Sequence, residues 1–132
     1  SGNPLAMAAG IAMLDSLTPA VYAKLEKTSA KLEKGMRKVA KELGFENRLT
    51  LNRIGSILTL FFNPGPIADF DDVKKSDGAA FNRWFHGLLK RGVFIAPAAF
   101  EAMFVSTAHT DKDLEKTLAA HREALKEAFA EG

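Results

Sequence analysis

The apolar positions of this chain repeat with different periods in different stretches, and each period predicts an element. Leu5-Ala6-Met7-Ala8-Ala9-Gly10-Ile11-Ala12-Met13-Leu14 contains no polar position at all. Ser1 or Asn3 can cap this run, and Pro4 suits the first helical position, where its missing N–H costs nothing. Residues 4–17 therefore read as a helix. A helix that is apolar all round must be buried all round. It is either the central core helix or a helix whose partner surface lies outside this chain. The second reading fits better, because 132 residues offer little to cover every side of an N-terminal helix.

Thr18-Pro19 restarts the helical pattern with a cap and a proline. Tyr22, Leu25, Leu32, Met36, Val39 and Leu43 then share one face at 3.6-residue spacing, with Ser29 in the single polar slot. Gly44 suits the position just past the helix end. Lys24, Lys27, Lys31, Lys34, Lys38 and Lys41 decorate the other side, and the interleaved Glu26, Glu33 and Glu42 make that side a solvated face. The period then drops to two. Residues 49–54 and 57–62 read as strands joined by a two-residue Gly55-Ser56 hairpin. The second strand is nearly all apolar, which predicts a central strand covered on both faces. Asn63-Pro64-Gly65-Pro66 stops it, and residues 67–75 read as a polar connection.

Ser76 or Asp77 caps a further helix whose buried face is Phe81, Trp84, Phe85, Leu88 and Leu89, ended by Arg91-Gly92. Val93-Phe94-Ile95 and residues 103–106 read as short strands on either side of the loop 96–102. Thr110 or Asp111 caps a last helix with Leu114, Leu118, His121, Leu125 and Phe129 in one stripe. Helix, helix, hairpin, helix, strand, strand, helix is an α+β layer, a small and mainly antiparallel sheet with helices packed on it.

Composition narrows the function classes. Apolar residues at 47% and charged residues at 26% exclude disorder and low-complexity architecture. A formal charge of +2 is too small, and too evenly mixed, to argue for nucleic acid or an anionic membrane. No apolar run reaches the roughly 18 residues of a spanning helix, and no basic leader precedes the first helix. With no cysteine there is no disulfide scaffold, thiolate metal site or cysteine nucleophile, which fits a reducing compartment. The start at Ser1, without a methionine, reads as a processed or excised fragment. The three histidines lack metal-ligand spacing. Ser106 and His109 are close in sequence, but no acid or oxyanion motif accompanies them. Glu101 stands out as a lone carboxylate in an apolar loop. It must be paired, exposed or protonated, and it is either a rim residue or a carboxylate facing a pocket.

Longer stretches carry a resemblance. Ser1-Gly2-Asn3-Pro4-Leu5-Ala6-Met7-Ala8-Ala9-Gly10 is similar to the segment that follows the cofactor-binding domain of class III pyridoxal-phosphate aminotransferases. A narrower pattern follows in Phe61-Phe62 with Gly65-Pro66, Ser76-Asp77 with Phe81, and Gly92-Val93-Phe94-Ile95-Ala96-Pro97. It continues through Phe100-Glu101-Ala102, Phe104-Val105-Ser106, Ala108-His109-Thr110, Asp113 and Thr117. This pattern resembles the glutamate-1-semialdehyde 2,1-aminomutase family and spans essentially the whole chain.

The resemblance implies the C-terminal small domain of a fold type I pyridoxal-phosphate enzyme, a cytoplasmic homodimer that makes 5-aminolevulinate for tetrapyrroles. It implies residues 1–17 as a linking helix against the large cofactor-binding domain and 18–132 as the small domain. It places the Schiff-base lysine, the pyridine-pairing aspartate and a phosphate-contacting threonine upstream of Ser1. No bound cofactor, metal, nucleic acid or membrane is then expected for the chain alone, and no turnover. Glu101 is the inherited site residue, facing the cofactor pocket. The family commonly has a serine after the proline of this loop, whereas Ala98-Ala99 follow Pro97 here. Two other readings remain, a domain of another class III aminotransferase and a stand-alone interaction domain.

Overall fold

The computed structural model describes residues 2–130. Asn3 caps α1 (Pro4–Ser16) by accepting the Leu5 N–H at 2.9 Å; Ser1, the other cap candidate, lies outside the described residues. No residue of α1 is buried. Leu5 is 79% exposed, Ile11 59% and Leu14 69%. The central-core reading of this helix is thereby overturned.

Thr18 caps α2 (Pro19–Glu42), and Gly44 closes it at φ +74°, a left-handed conformation that only glycine adopts without strain. Ser29, Leu32, Met36, Val39 and Ala40 are buried. The predicted stripe is wrong at its start, where Tyr22 is exposed and Leu25 half-buried, because the first turns of α2 extend past the elements that cover its later turns. The glutamates of the solvated face also do more than face water. Arg53 donates from Nε to Glu33 at 2.5 Å and from Nη1 to Glu26 at 2.9 Å, tying the hairpin to α2.

A 3-10 turn (Glu46–Arg48) leads into β1 (Thr50–Ile54) and β2 (Ile57–Phe61), antiparallel with Ile54 opposite Ile57 across the Gly55-Ser56 turn. β3 (Met103–Phe104) pairs on the other side of β2, placing β2 in the centre as predicted. Coverage on both faces is a different matter. Leu51, Leu58 and Leu60 point into the core, but the opposite face leaves Ile57 38% exposed and Thr59 half-buried. On that face Phe61 is buried, and cover is lost toward the hairpin turn, at Ile57 and Thr59. Ile54, Ile57 and Phe104 are cross-strand neighbours on that open face and form an uncovered apolar row.

The connection after β2 contains one helical turn that the polar pattern hides, α3 (Phe70–Val73), capped by Asp69. Asp77 caps α4 (Gly78–Leu89), which buries Phe81, Trp84, Phe85 and Leu88 while Leu89 stays exposed. Gly92 takes φ +77° and turns the chain out of the helix. Residues 93–95 do not form the predicted strand. They run on without a ladder partner among the described residues, Val93 and Ile95 packing on the core while Phe94 stays exposed. Alternation selects which side chains are buried, and a ladder needs a free strand edge as well.

Thr110 and Asp113 form a reciprocal capping box for α5 (Asp111–Ala128), which packs against both α4 and α2. Gly87 allows the α4 contact, since a Cβ there would lie 2.9 Å from the Ala124 Cα. The core joins Leu32, Met36 and Val39 of α2 to Phe62, Trp84 and Leu125. Aromatic contacts knit it together, Phe62 lying 5.6 Å from Trp84 and 5.5 Å from Phe129 between ring centroids.

Candidate functional site

A cleft of about 500 Å³ opens beside the loop that follows α4. Residues 93–97 line one wall, residues 101–105 another, and a third is made by His109, in the turn before α5, with Asp113 and Thr117 of α5. Asp113 and Thr117 are four apart, so one face of α5 presents both to the cleft.

Glu101 lines this cleft, and an adjoining recess beside Ala98 and Ala99, as an exposed side chain. Its loop is held by local bonds, the Glu101 N–H donating to the Ala98 carbonyl at 3.2 Å. The neighbouring Phe100 ring meets Phe70 edge-on at 5.9 Å, so α3 braces the loop from outside. Glu101 is thus exposed to solvent while bordering the cavity.

Asp113 is committed to α5. It accepts from the Thr110 hydroxyl at 2.7 Å and the Thr110 N–H at 2.8 Å, and these bonds hold its carboxyl below the usual carboxylate range. The fold does bring Ser106 and His109 together, Oγ to Nδ1 at 3.3 Å, but Nδ1 also accepts the Ser106 backbone N–H at 2.9 Å. That bond makes the pair a turn motif rather than an activated hydroxyl, since the lone pair that would take a proton already has a donor. Among the described residues no cluster of three or more His, Asp or Glu side chains is placed to hold a metal.

A Schiff base to a pyridoxal cofactor needs a lysine, and the sequence has twelve. All twelve are exposed. The loop cleft is lined on three sides by segments of this chain.

The fold itself is shared with known proteins. An omega-transaminase from Sphaerobacter thermophilus superposes with a TM-score of 0.80 at 25% identity, over 96% of this chain and 28% of that one. A glutamate-1-semialdehyde aminomutase variant from Pseudomonas aeruginosa, in complex with PMP, superposes with a TM-score of 0.84 at 24% identity, over 97% of this chain and 28% of the other. The architecture is that of the C-terminal domain of class III aminotransferases.

Sequence relatives narrow this further. The glutamate-1-semialdehyde 2,1-aminomutase of Thermus thermophilus is 51% identical over 127 residues, covering 95% of this chain and 30% of the relative. That of Desulforudis audaxviator is 49% identical over 131 residues, covering 98% of this chain and 30% of the relative. No protein-family model matches the chain. The chain is homologous to the C-terminal ~30% of glutamate-1-semialdehyde aminomutase, and it spans only that part of its relatives' length.

Proposed function

We propose that this chain is the C-terminal domain of a pyridoxal-phosphate-dependent glutamate-1-semialdehyde 2,1-aminomutase, which moves an amine within one substrate to give 5-aminolevulinate. The observation that carries the reading is the aminomutase identity of 49–51% along 95–98% of the chain. The domain lines part of the substrate cleft, and the rest of the enzyme supplies the cofactor and its lysine. Two surfaces suit that assembly. The all-apolar α1 and the Ile54–Ile57–Phe104 row are both uncovered, and each needs a partner to leave water. Residues 1–17 are then the segment that docks on the large domain, and the intact enzyme acts as a homodimer.

Glu101 is the residue we assign to the reaction's specificity. A carboxylate at the cleft rim repels a second acidic group on an incoming keto acid, which favours internal amine exchange over transfer to a separate acceptor. The test is a chimera in which this chain replaces the corresponding domain of the Thermus thermophilus aminomutase. The chimera is expected to form 5-aminolevulinate, and Glu101→Gln to raise transamination of keto acids relative to isomerisation. A chimera that is folded, dimeric and inactive with glutamate-1-semialdehyde overturns the reading. Kinetics unchanged by Glu101→Gln on both substrate classes removes the role of Glu101.

A second reading, the same domain from an aminotransferase with another amino donor, is favoured by Ala98-Ala99, which provide no side-chain hydrogen bond in the loop. A chimera that transaminates but does not isomerise would select it.

The chain by itself is expected to be inert. Mixed with pyridoxal phosphate and reduced with borohydride, it should show scattered, sub-stoichiometric labelling of surface lysines by intact mass and peptide mapping. Stoichiometric labelling of one lysine would mean that the chain holds its own cofactor pocket.

A further inference from the structure

The loop that carries Glu101 is sparsely tied. Among the described residues, the one hydrogen bond made by residues 96–102 runs from the Glu101 N–H to the Ala98 carbonyl, and nothing bonds the Glu101 carboxylate. Where that carboxylate points is therefore set by the loop backbone. Ala99 packs on the core from one side. On the other side stands Phe100, next in the chain to Glu101 and 61% exposed. Its ring meets the Phe70 ring at 5.9 Å between centroids and 70° between planes. That edge-to-face arrangement is one that aromatic quadrupoles favour, and it is worth more than the shared area alone. Among the described residues, each ring is the other's only aromatic neighbour.

Phe70 is itself held in place. One helical turn has little stability of its own, and α3 is tied at several points. Asp69 accepts the Asp72 N–H at 3.0 Å, while the Asp72 carboxylate accepts the Ala68 N–H at 3.1 Å and pairs with Lys75 at 2.9 Å. The Lys74 ammonium lies over the Phe70 ring, 5.6 Å from its centroid. Asn63, buried just past β2, joins this turn to the sheet. Its amide donates to the Asp72 carbonyl at 3.0 Å, its side-chain oxygen accepts the Gly65 N–H at 2.9 Å, and its own carbonyl accepts the Thr50 hydroxyl at 2.8 Å. Contact thus runs from β1 through Asn63 and α3 to Phe100.

We propose that Phe70 is a positioning residue. Its ring holds Phe100, and through it the Glu101 backbone, in the course that keeps the carboxylate at the cleft. The proposal rests on the reading of Glu101 given above, and its test separates the two.

The first readout is limited proteolysis of the 132-residue chain with a glutamyl endopeptidase. Cleavage at Glu101–Ala102 reports opening of the loop, and cleavage at Glu46–Asn47 in the 3-10 turn is the internal reference. The rate follows the population of the open form. Phe70→Ala should raise cleavage at Glu101–Ala102 about fivefold relative to the reference, the size of one lost aromatic pair. Phe70→Tyr keeps the ring and should return the parent rate. An unchanged rate in Phe70→Ala overturns the proposal. So does an equal rise at both bonds, which would mean that the ring serves the whole fold and not the loop.

The second readout is the ratio of keto-acid transamination to isomerisation in the Thermus thermophilus chimera. Phe70→Ala should raise that ratio, and Phe70→Tyr should return it. Phe70→Ala combined with Glu101→Gln should raise it no further than Glu101→Gln alone, because a residue that acts through another adds nothing once the other is gone. An additive double variant overturns the positioning role, as does Phe70→Ala without effect where Glu101→Gln has one. If Glu101→Gln leaves the ratio unchanged, the reading of Glu101 is what fails, and proteolysis by itself decides whether Phe70 holds the loop.

Discussion

His121 and Trp84 show how one buried polar pair controls stability. The ring is neutral in the fold because burial opposes its charge, which lowers its pKa from 6.5 to about 4. Between those values the unfolded chain binds a proton that the folded chain does not. Stability is therefore present above pH 6.5 and lost as pH falls from about 6.5 to 4. The loss amounts to about 2 kcal/mol by pH 5, on the scale of 1.36 kcal/mol per pKa unit. Urea denaturation across that range checks it, and His121→Gln, which cannot titrate, should flatten the slope. Acid loss below that range has another source. The Arg91 guanidinium and the Lys90 ammonium hold Glu127 at about 2, so its contribution is lost as pH falls below 4.5. An identical slope in His121→Gln would mean that the ring is not the group responsible.

At the scale of elements, close packing decides which glycines matter. Gly87 faces the backbone of α5, where an added Cβ would lie 2.9 Å from both Ala124 Cα and Cβ. Gly87→Ala should force α4 and α5 apart and destabilise by about 1–3 kcal/mol, the usual cost of overpacking. Gly35 also faces α5, but what its Cβ would meet is the end of the Leu118 side chain. That side chain is half-buried and can turn aside, so Gly35→Ala gains helix propensity of roughly 1 kcal/mol against a small rotamer cost. Thermal melts of the two variants should differ in sign or nearly so. Equal destabilisation would mean that the α2–α5 contact is as rigid as the α4–α5 contact. The capping box at Thr110 and the closing Gly44 were legible in the residue types, because caps are local chemistry. The α3 turn was not, because a single amphipathic turn has too few positions for a period.

At the scale of the whole molecule, α1 has the greatest consequence for behaviour in solution. It buries no residue, so it contributes little to the packed body and leaves a large apolar surface in water. The chain should self-associate with rising concentration, and deletion of residues 1–16 should give a monomer with an unchanged denaturation midpoint. Sedimentation velocity and urea unfolding measure the two halves of that expectation. A monomeric intact chain, or a shortened chain of lower stability, would mean that α1 packs on the domain in solution.

Most element types, their order and the α+β layering were set by local information in this chain, α3 and residues 93–95 excepted. The periods of two and 3.6, the proline and glycine boundaries and the caps are interactions within a few residues, and each was readable without the fold. Glu101 could be singled out for the same reason, as a charge where its neighbours are apolar. What needed the tertiary structure was whatever depends on how many sides of an element are covered. Val93-Phe94-Ile95 has a strand's alternation but does not join the sheet, and β2 has apolar residues on both faces but loses cover at Ile57. Arg53 finding Glu26 and Glu33 across the hairpin, and His121 accepting the Trp84 indole N–H, are contacts between distant segments. A side-chain pattern records which positions avoid water, and only the packed chain determines what each of them meets instead.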